Sequence, residues 1–242
     1  MALYRIDKFL AEMDFGTRTE IKKDLKKGIC TINGEIINQP DIKIDPQKDI
    51  VCYMGKRILY ADYEYYLLNK PQGVVSATED SLHQTVVDLI IEKRRKDLFP
   101  VGRLDMDTEG LLLITNDGNL AHQLLSPKKH VDKTYYAKIK GYVTPEDIAL
   151  FKEGLNIGED EKTLPALLNI LSSDEISEIE VTLTEGKYHQ VKRMFEAVEK
   201  EVLFLKRISM GPLKLDETLE TGNYRPLTDD EIAQLKGLYK LC

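Results

Sequence analysis

Apolar residues at the start of the chain first follow a helical spacing and then a strand-like one. Four of them lie three or four positions apart and predict a short helix: Ile6, Phe9, Leu10 and Met13. Thr17 followed by Glu20 matches the capping box that begins a second helix, and Gly28 ends it. Two β-branched runs then flank Asn33-Gly34, the dipeptide typical of a tight hairpin turn, and a further strand follows at 49–54. The pattern predicts two helices and a small antiparallel sheet.

From residue 63 onward, strand-like apolar runs alternate irregularly with helical ones. Strands are predicted at 63–68, 111–115, 133–139, 166–171, 179–183 and 202–209. Helices are predicted at 85–93, 119–125, 145–153, 189–198 and 229–238, the third behind Thr144 and the last behind Thr228 as N-caps. The chain contains neither a phosphate-binding nor a dinucleotide-binding glycine motif. We expect an α+β protein with a small domain at 1–57, a linker at 58–62 and a larger domain at 63–242, whose mixed, mainly antiparallel sheet is flanked by helices.

Composition narrows the class of protein. The 242 residues are 42% hydrophobic and 31% charged, which is typical of a globular chain and excludes a disordered or collagen-like one. No run of eighteen apolar residues is present, and charges interrupt the first ten residues where a signal peptide needs an apolar core. We therefore expect a cytoplasmic protein. A disulfide framework or a zinc site is not expected, because no C-x-x-C pair occurs and the three cysteines lie far apart: Cys30, Cys52 and Cys242.

The net charge of −7 argues against a nucleic-acid partner, but its distribution is uneven. Residues 1–57 hold eleven Lys and Arg against nine Asp and Glu, and several of the cations lie on the second helix. A lysine-rich helix is by itself usual on a solvated face. Here it leads directly into a hairpin, and residues 3–55 resemble the αL RNA-binding domain named after a small-subunit ribosomal protein. The resemblance implies RNA contacts for Arg18, Lys22 and Lys26.

The densest group of charged residues lies at 102–110, just before an apolar strand. In an extended segment, Asp105 and Asp107 point to the same side with backbones about 6.6 Å apart, within the range of carboxylate pairs that flank a glycosidic bond. An acidic loop that caps the strand is the structural alternative, which spacing alone favours. The chain has no Trp and only 7% aromatic residues, so it offers few platforms for sugar rings. A single nucleoside needs only one stacking ring, a polar group and a cation.

Six stretches look like the motifs of the RsuA-type pseudouridine synthases of the RsuA/Rlu family, which isomerise a uridine in ribosomal RNA. The one that matches the family's catalytic motif is GRLDMDTEGLLLITNDG at 102–118. The others, in the family's order, are YLLNKPQGVVSATED at 66–80, HQTVVDLI at 83–90, KTYYAKI at 133–139, EGKYHQVKRMF at 185–195 and GNYRPLTDDEI at 222–232. With the N-terminal domain they are distributed over nearly the whole chain. The resemblance implies a pseudouridine synthase domain that uses no cofactor and no metal.

The resemblance also implies roles for individual residues. It places the catalytic aspartate at Asp105, which attacks the anomeric carbon of the bound uridine, so that uracil leaves, turns and rejoins through its carbon 5. A carboxylate is ionised at neutral pH and can hold the sugar as an ester. Asp107 is expected to orient the loop or to cap the next segment. Tyr135 matches the tyrosine that stacks on uracil and assists proton removal from carbon 5, with a core-facing strand tyrosine as the structural alternative, and strand alternation turns Tyr136 to the opposite side. Lys192 matches the cation beside the aspartate, where many relatives have Arg, and a lysine orients a carboxylate less strictly.

Three more cations are expected to contact the substrate. Arg103 either fills the gap that the flipped nucleotide leaves or forms a salt bridge with Asp107 or Glu109. Lys133 either approaches the same cleft as the stacking tyrosine or contacts phosphate at its rim. Arg193 contacts phosphate or an acidic neighbour. The four histidines of the chain are expected at the surface, without a metal.

These expectations combine into a monomeric enzyme that acts on a uridine of small-subunit (16S) ribosomal RNA. The alternatives are a synthase for large-subunit (23S) rRNA, a noncatalytic rRNA-binding assembly factor, and a sugar or nucleoside hydrolase that uses Asp105 and Asp107. The basic segments at 18–27, 93–96, 128–140 and 187–193 are expected to line one face. The acidic residues between 146 and 180 should lie away from that face.

Overall fold

The computed structural model describes residues 3–158 and 161–238. Cys242, one of the three cysteines counted above, lies outside these residues, while Cys30 and Cys52 are free thiols. Burial raises the pKa of the Cys30 thiol to about 11, so this group stays protonated at neutral pH. Nowhere in the described chain is a helix both long enough and apolar enough to cross a membrane.

The chain folds as two compact units. The first contains the residues up to 64 and also the segment 91–98, while the second contains 65–90 and the residues from 99 onward. The division expected from the sequence places 91–98 in the larger domain, whereas this segment packs with the smaller unit. One of its contacts is the hydrogen bond from Lys96 N to Glu12 O at 2.9 Å.

The first unit combines two helices with six short strands. The helices are α1 (Ile6–Glu12) and α2 (Arg18–Leu25), and the strands are β1 (Tyr4–Arg5), β2 (Cys30–Ile32), β3 (Glu35–Ile37), β4 (Lys43–Ile44), β5 (Val51–Tyr53) and β6 (Lys56–Arg57). Strands β3, β2, β5 and β6 form one sheet in that order, and β1 pairs with β4. A core that includes Phe9, Leu10, Ile21 and Leu25 joins the helices to the sheet.

Local signals explain why these elements form. Thr17 Oγ1 accepts a hydrogen bond from Glu20 N, and the Glu20 carboxylate accepts one from Thr17 N at 2.8 Å, so the predicted capping box is confirmed. Asn33 and Gly34 have φ angles of 52° and 88°. Both angles are left-handed, as a two-residue turn between β2 and β3 requires, and the predicted hairpin is confirmed.

The second unit is built on a mixed sheet. Its strands are β7 (Tyr65–Lys70), β8 (Phe99–Pro100), β9 (Glu109–Thr115), β10 (Lys133–Lys140), β11 (Leu167–Ser172), β12 (Ile176–Leu183), β13 (Glu201–Met210), β14 (Leu213–Lys214) and β15 (Tyr224–Pro226). Its helices are α3 (Gly118–Leu125), α4 (Pro145–Glu153), α5 (Gln190–Glu196) and α6 (Asp229–Gly237), with a 3₁₀ turn at Pro127–Lys129. The main path runs β11-β12-β10-β13-β9-β7-β15. Its pairs are antiparallel except β13 with β9, so the predicted mixed, mainly antiparallel sheet is confirmed.

The predicted helix at 85–93 is wrong, because turns occupy this segment. Thr85 and Asp88 do exchange the hydrogen bonds of a capping box, at 2.8 and 3.2 Å. The backbone does not continue into a helix, because Ile90 N donates to Val87 O at 3.2 Å and closes a single turn. Val86 N donates to Val75 O at 3.0 Å, so the start of this segment is also tied to a neighbouring strand-like segment.

One row of paired residues crosses the sheet of the second unit. It runs through Leu168, Val181, Tyr135, Arg207, Gly110 and Lys70, which lie on β11, β12, β10, β13, β9 and β7. Residues directly opposite each other in a sheet project from the same face. Gly110 has a φ of 103°, and a Cβ at this position would lie 2.2 Å from Arg207 O. Strand β9, which follows the Asp105 loop, can therefore lie this close to β13 only because residue 110 has no side chain.

We predict that Gly110→Ala destabilises the protein by at least about 3 kcal/mol, because the added methyl group meets backbone and the φ angle is left-handed. Gly118→Ala is the matched control: it lies in α3, and no atom apart from its chain neighbours and the backbone of its own helix lies within 4 Å of the position that the added methyl group would take. We expect its stability to be unchanged or higher by up to about 1 kcal/mol. Urea unfolding followed by circular dichroism measures both. Equal midpoints for the two variants would contradict the packing described above.

Candidate active site

A turn between β8 and β9 carries the two aspartates. Thr108 N donates to Asp105 O at 3.1 Å, which closes the turn at 105–108. The segment is therefore not extended, and the expectation that strand alternation aligns Asp105 with Asp107 is wrong. The Asp105 side chain is 29% exposed and the Asp107 side chain is 67% exposed. Asp105 is thus sheltered but reachable, whereas Asp107 lies largely in solvent.

Lys192 on α5 bridges both carboxylates. Its Nζ lies 3.4 Å from Asp105 Oδ2, and it donates to both carboxylate oxygens of Asp107 at 2.7 and 2.8 Å. The hydrogen bond from Lys192 lowers the pKa of Asp107. Burial acts to lower the pKa of Lys192, but the hydrogen bond to Asp107 and the two negative charges together raise it. A protonated ammonium therefore lies between the two carboxylates, and its closer partner is Asp107 and not Asp105.

Lys70 lies beneath the same turn and is fully buried. Its ammonium lies 3.0 Å from the carbonyl oxygens of Pro71, Asp105 and Thr108 and 3.3 Å from that of Met106, so its three N–H groups serve four acceptors, one of them shared. Burial lowers the pKa of Lys70 to about 8, and the negative charges of the loop oppose this shift. Sequence reasoning assigned this lysine no role. The available signal was a lysine at the end of the apolar strand YYLL, where a charge needs a specific partner.

His189 is a second neighbour of Asp105 that sequence reasoning missed. Its Nε2 lies 3.6 Å from Asp105 Oδ1, and its ring stacks on that of Tyr188 with centroids 3.8 Å apart. The residue precedes α5 with a left-handed φ of 48°. Because His189 and Lys192 lie three positions apart, a helical turn brings their side chains to the same side. The spacing of His189 and Lys192 in YHQVKRM was the sequence signal that both side chains could contact Asp105.

Tyr135 lies half-buried on β10 and packs against the apolar core that also contains Val191 and Met194 of α5. Strand alternation separates it from Tyr136, as expected, because Tyr136 instead contacts the Phe204 ring edge-on at a centroid distance of 6.2 Å. Burial raises the pKa of Tyr136 to about 12, with a further contribution from Glu178. Tyr135 and the helix that bears Lys192 therefore share one face of the sheet.

The family of this chain follows from comparison with known sequences. The family model described as RNA pseudouridylate synthase matches residues 64–197, more than half of the chain and the whole of the cluster above. The chain belongs to the RNA pseudouridylate synthase family. A model of the S4 domain matches residues 5–50 of the synthase, so its first unit is the RNA-binding type of domain that the sequence predicted.

Relatives of the synthase match it over nearly its full length. It is 49% identical over 230 residues to a Bacillus subtilis (strain 168) protein named an uncharacterized RNA pseudouridine synthase, across 94% of this chain and 96% of the relative. It is 37% identical over 233 residues to ribosomal small subunit pseudouridine synthase A of Escherichia coli (strain K12), across 96% and 99%. A crystal structure of a pseudouridylate synthase matches with a TM-score of 0.67 and 38% identity, across 96% and 99%. The fold and family expected from the motifs are confirmed.

Lys133 and Arg193 of the synthase also have partners within the protein. Lys133 is buried, its ammonium donates to Val131 O at 3.0 Å, and burial lowers its pKa. The expectation that Lys133 contacts phosphate at a rim is therefore wrong. Arg193 donates to Ile157 O and pairs with Glu161 at 2.8 Å. Of the two partners expected for Arg193, the acidic neighbour is the one that the structure contains.

The exposed cations differ in their partners. Arg103 is exposed, and within the residues that the structure describes it forms no ion pair, so the expected alternative of a bridge to Asp107 or Glu109 is absent. In the S4 domain, Arg18 binds the buried Asp7 at 3.0 Å, whereas Lys22 and Lys26 are exposed at α2 and its C-terminal end.

Acidic residues are not fully separated from the basic segments. Glu161 lies 3.2 Å from Lys187 and 2.8 Å from Arg193, so one of the acids between 146 and 180 neutralises part of the segment 187–193. The expectation that these acids lie away from the basic face is wrong at this position. Across the described residues, no group of three or more His, Cys, Asp or Glu side chains could hold a metal ion.

We predict that Lys70→Met lowers the free energy of unfolding by about 2 kcal/mol or more at pH 7, because four carbonyls lose their donor. The pKa of Lys70 is lower in the folded protein than in the unfolded chain, so between about pH 8 and the ordinary lysine pKa the unfolded chain binds more protons. The stability of wild type therefore rises with pH in this window. The difference in free energy of unfolding between wild type and Lys70→Met should therefore increase by about 2 kcal/mol between pH 7 and pH 9.5. Urea unfolding at a series of pH values measures it.

Lys140→Met is the matched control for this measurement, since Lys140 forms only an exposed ion pair with Glu201 at 3.3 Å. We expect it to change stability by less than about 0.5 kcal/mol at every pH. If the difference in free energy of unfolding between wild type and Lys70→Met did not change with pH, Lys70 would not titrate in this range.

We predict that Lys192→Met lowers the rate of pseudouridine formation at saturating RNA by about 10-fold to 100-fold, because Asp105 loses the cation that lies 3.4 Å away. The RNA concentration for half-maximal rate should change less than about threefold. Single-turnover kinetics separate the two quantities. Lys187→Met, which removes a cation paired with Glu161 instead, should leave both nearly unchanged. An equal loss of rate and affinity in Lys192→Met would assign Lys192 to RNA binding.

Proposed function

We propose that the protein converts one uridine of small-subunit (16S) ribosomal RNA to pseudouridine, with Asp105 as the nucleophile. The observation that carries the proposal is the placement of Asp105 in a pseudouridine synthase domain: a sheltered carboxylate on a turn tied to Lys70 and facing Lys192 and His189. The choice of the small subunit rests on relatives of Vibrio cholerae and Escherichia coli. Both are named ribosomal small subunit pseudouridine synthase A and align over nearly the full chain.

In the proposed reaction, a carboxylate oxygen of Asp105 bonds to the anomeric carbon of the flipped uridine. The bond between that carbon and N1 breaks, and its electron pair leaves with uracil. Uracil turns on the Tyr135 ring, its carbon 5 bonds to the anomeric carbon, and Asp105 leaves with its electron pair. Carbon 5 then loses its proton and N1 gains one, so the product has the mass of the substrate.

The surrounding side chains support these steps in different ways. Lys192 offsets the charge of Asp105 and Asp107, so that two carboxylates can lie together beside an RNA strand that is itself anionic. Arg103 is exposed and has a planar guanidinium, which fits the stacking gap left by the flipped nucleotide.

The S4 domain supplies the contacts with the RNA backbone. Lys22 and Lys26 are exposed and meet phosphate, together with Arg18 where its pairing with Asp7 leaves donors exposed. A modest number of cations suffices, because the shape of a folded RNA and its single-stranded bases also contribute to recognition. The net charge of −7 is therefore compatible with an RNA substrate.

The proposal also covers the setting of the enzyme. It acts in the cytoplasm as a monomer and uses neither a cofactor nor a metal. The reaction needs no redox partner, because the uridine is isomerised without a net change in oxidation state. It needs no activated donor either, because the ester to Asp105 keeps the anomeric carbon reactive until carbon 5 attacks it.

We predict that Asp105→Asn abolishes pseudouridine formation, with a loss of at least about 10³-fold, because an amide cannot form the ester. Asp107→Asn should retain activity within about tenfold, because Asp107 is largely exposed and its loss leaves Lys192 free to pair with Asp105. A strain that lacks the protein, complemented with either variant, supplies the rRNA. Carbodiimide-stop primer extension on both ribosomal subunits detects the modified position.

Each outcome has a defined meaning. A full pseudouridine signal in the Asp105→Asn strain contradicts the proposed nucleophile. A signal that depends on the protein but maps to large-subunit rRNA corrects the substrate. Release of free uracil indicates a hydrolase, and normal modification with defective ribosome assembly in the deletion strain indicates a noncatalytic factor.

A further inference from the structure

Tyr188 is an aromatic side chain that none of the proposed catalytic steps uses. It is 75% exposed, although it directly precedes His189, a neighbour of Asp105. One face of its ring covers the His189 imidazole, with centroids 3.8 Å apart and planes inclined by only 18°. The ring is therefore held in a defined orientation while most of its surface meets solvent.

Hydrogen bonds hold the backbone of this segment in place. Lys187 N donates to Gln190 Oε1 at 2.8 Å, and Gln190 Nε2 donates to Glu185 Oε1 at 2.8 Å. Arg193 Nη1 donates to the carbonyl of Tyr188 at 3.2 Å. The exposure of Tyr188 therefore does not reflect a loose loop. The fold presents the ring outward on a fixed support.

The support includes a strained residue. His189 has φ 48° and ψ 34°, a left-handed conformation that a residue with a side chain adopts at a cost of about 1 kcal/mol. This conformation lets one imidazole face Asp105 with an edge nitrogen and Tyr188 with its ring plane. Strain retained beside a reactive carboxylate is typical of functional segments.

We propose that Tyr188 is a stacking platform for the nucleobase that neighbours the flipped uridine. When one nucleotide leaves the strand for Asp105, the adjacent base loses a stacking partner. The outer face of Tyr188, one imidazole away from Asp105, offers a replacement partner. Stacking on an aromatic ring accepts any base, so Tyr188 contributes affinity and register at the site and leaves the choice of sequence to other contacts.

This role of Tyr188 requires an enzyme that binds RNA at Asp105, so it rests on the proposed function. The imidazole of His189 strengthens it, because Tyr188 is already stacked and little side-chain freedom is lost when a base binds. Arg103, exposed on the Asp105 loop, and Tyr188 then contribute different contacts: the first fills the vacated position, and the second holds the neighbour.

Tyr188→Ala should raise the RNA concentration for half-maximal rate by about 5-fold to 150-fold, the range for loss of one base–aromatic stack. The single-turnover rate at saturating RNA should change less than about threefold. Tyr188→Phe keeps the ring and should match wild type within about twofold. Tyr142→Ala is the matched control and should also match wild type, because Tyr142 is exposed and lies beyond the opposite end of β10 from Tyr135.

Two results of these kinetics would overturn the platform. Equal losses in the Tyr188→Phe and Tyr188→Ala variants would show a hydroxyl contact in place of a stack. A fall in the saturated rate with an unchanged half-maximal concentration would show an effect through His189 on the chemical step.

A second measurement does not require turnover. The chain contains no tryptophan, so Tyr188→Trp gives a single-tryptophan enzyme whose fluorescence reports stacking at this position. We expect an unmodified transcript of small-subunit rRNA to quench it and to leave Tyr142→Trp unquenched, with a large-subunit transcript tested separately. Circular dichroism verifies the fold, and filter binding verifies that RNA is bound. Bound RNA without quenching overturns the platform. Absence of pseudouridine with wild-type enzyme contradicts the proposed function instead, and the quenching result still decides whether Tyr188 stacks on RNA.

Discussion

The buried ammonium of Lys70 determines where the turn at 105–108 lies, and the position of Asp105 depends on that turn. Four carbonyls converge on this one group, three of them from the turn itself. A charge in this location is unfavourable, since a pKa lowered to about 8 corresponds to a folding cost of about 3 kcal/mol for the charged form. Carbonyls removed from water are also unfavourable without a donor. The carbonyls therefore stabilise the buried ammonium, and the ammonium supplies the hydrogen-bond donors that the carbonyls need. These contacts hold the turn in place.

The close approach of β9 to β13 completes this arrangement. Gly110 immediately follows the loop and pairs with both Arg207 and Lys70, so the backbone that carries Asp105 enters the sheet close to the turn. Parallel pairing of β13 with β9 brings the row that contains Tyr135 next to this entry point. On the same face, α5 packs against the core below Tyr135 and carries Lys192. The turn that carries Asp105 and the helix that carries Lys192 thus meet beside one sheet row, where Lys192 Nζ lies 3.4 Å from the Asp105 carboxylate.

Sequence patterns predicted the features that have a local cause. The capping box at Thr17 and the turn at Asn33-Gly34 act within a few residues and form as predicted. The helix expected at 85–93 does not form, because the backbone there closes a single turn from Val87 to Ile90. Short strands such as β6, β8 and β15 carry no periodicity and were not predicted. In the site, motif resemblance indicated Asp105 but neither Lys70 nor His189, because their roles arise from backbone carbonyls and ring contacts that no motif records. A sequence shows the charge of a cation, but not whether a protein group already binds it.

A lysine instead of an arginine at position 192 has a definite physical consequence in this structure. A guanidinium fork matches one carboxylate in a planar, paired geometry, whereas an ammonium is a compact charge with three donors that can point in different directions. Lys192 uses that freedom, since it binds both oxygens of Asp107 while it remains 3.4 Å from Asp105. The turn, which Lys70 and Gly110 hold, sets the position of the Asp105 backbone, and His189 Nε2 lies 3.6 Å from Oδ1 of the carboxylate, while Lys192 lies beside Oδ2. Lys192 is therefore not the only side chain beside the carboxylate, and the residue at 192 mainly supplies charge.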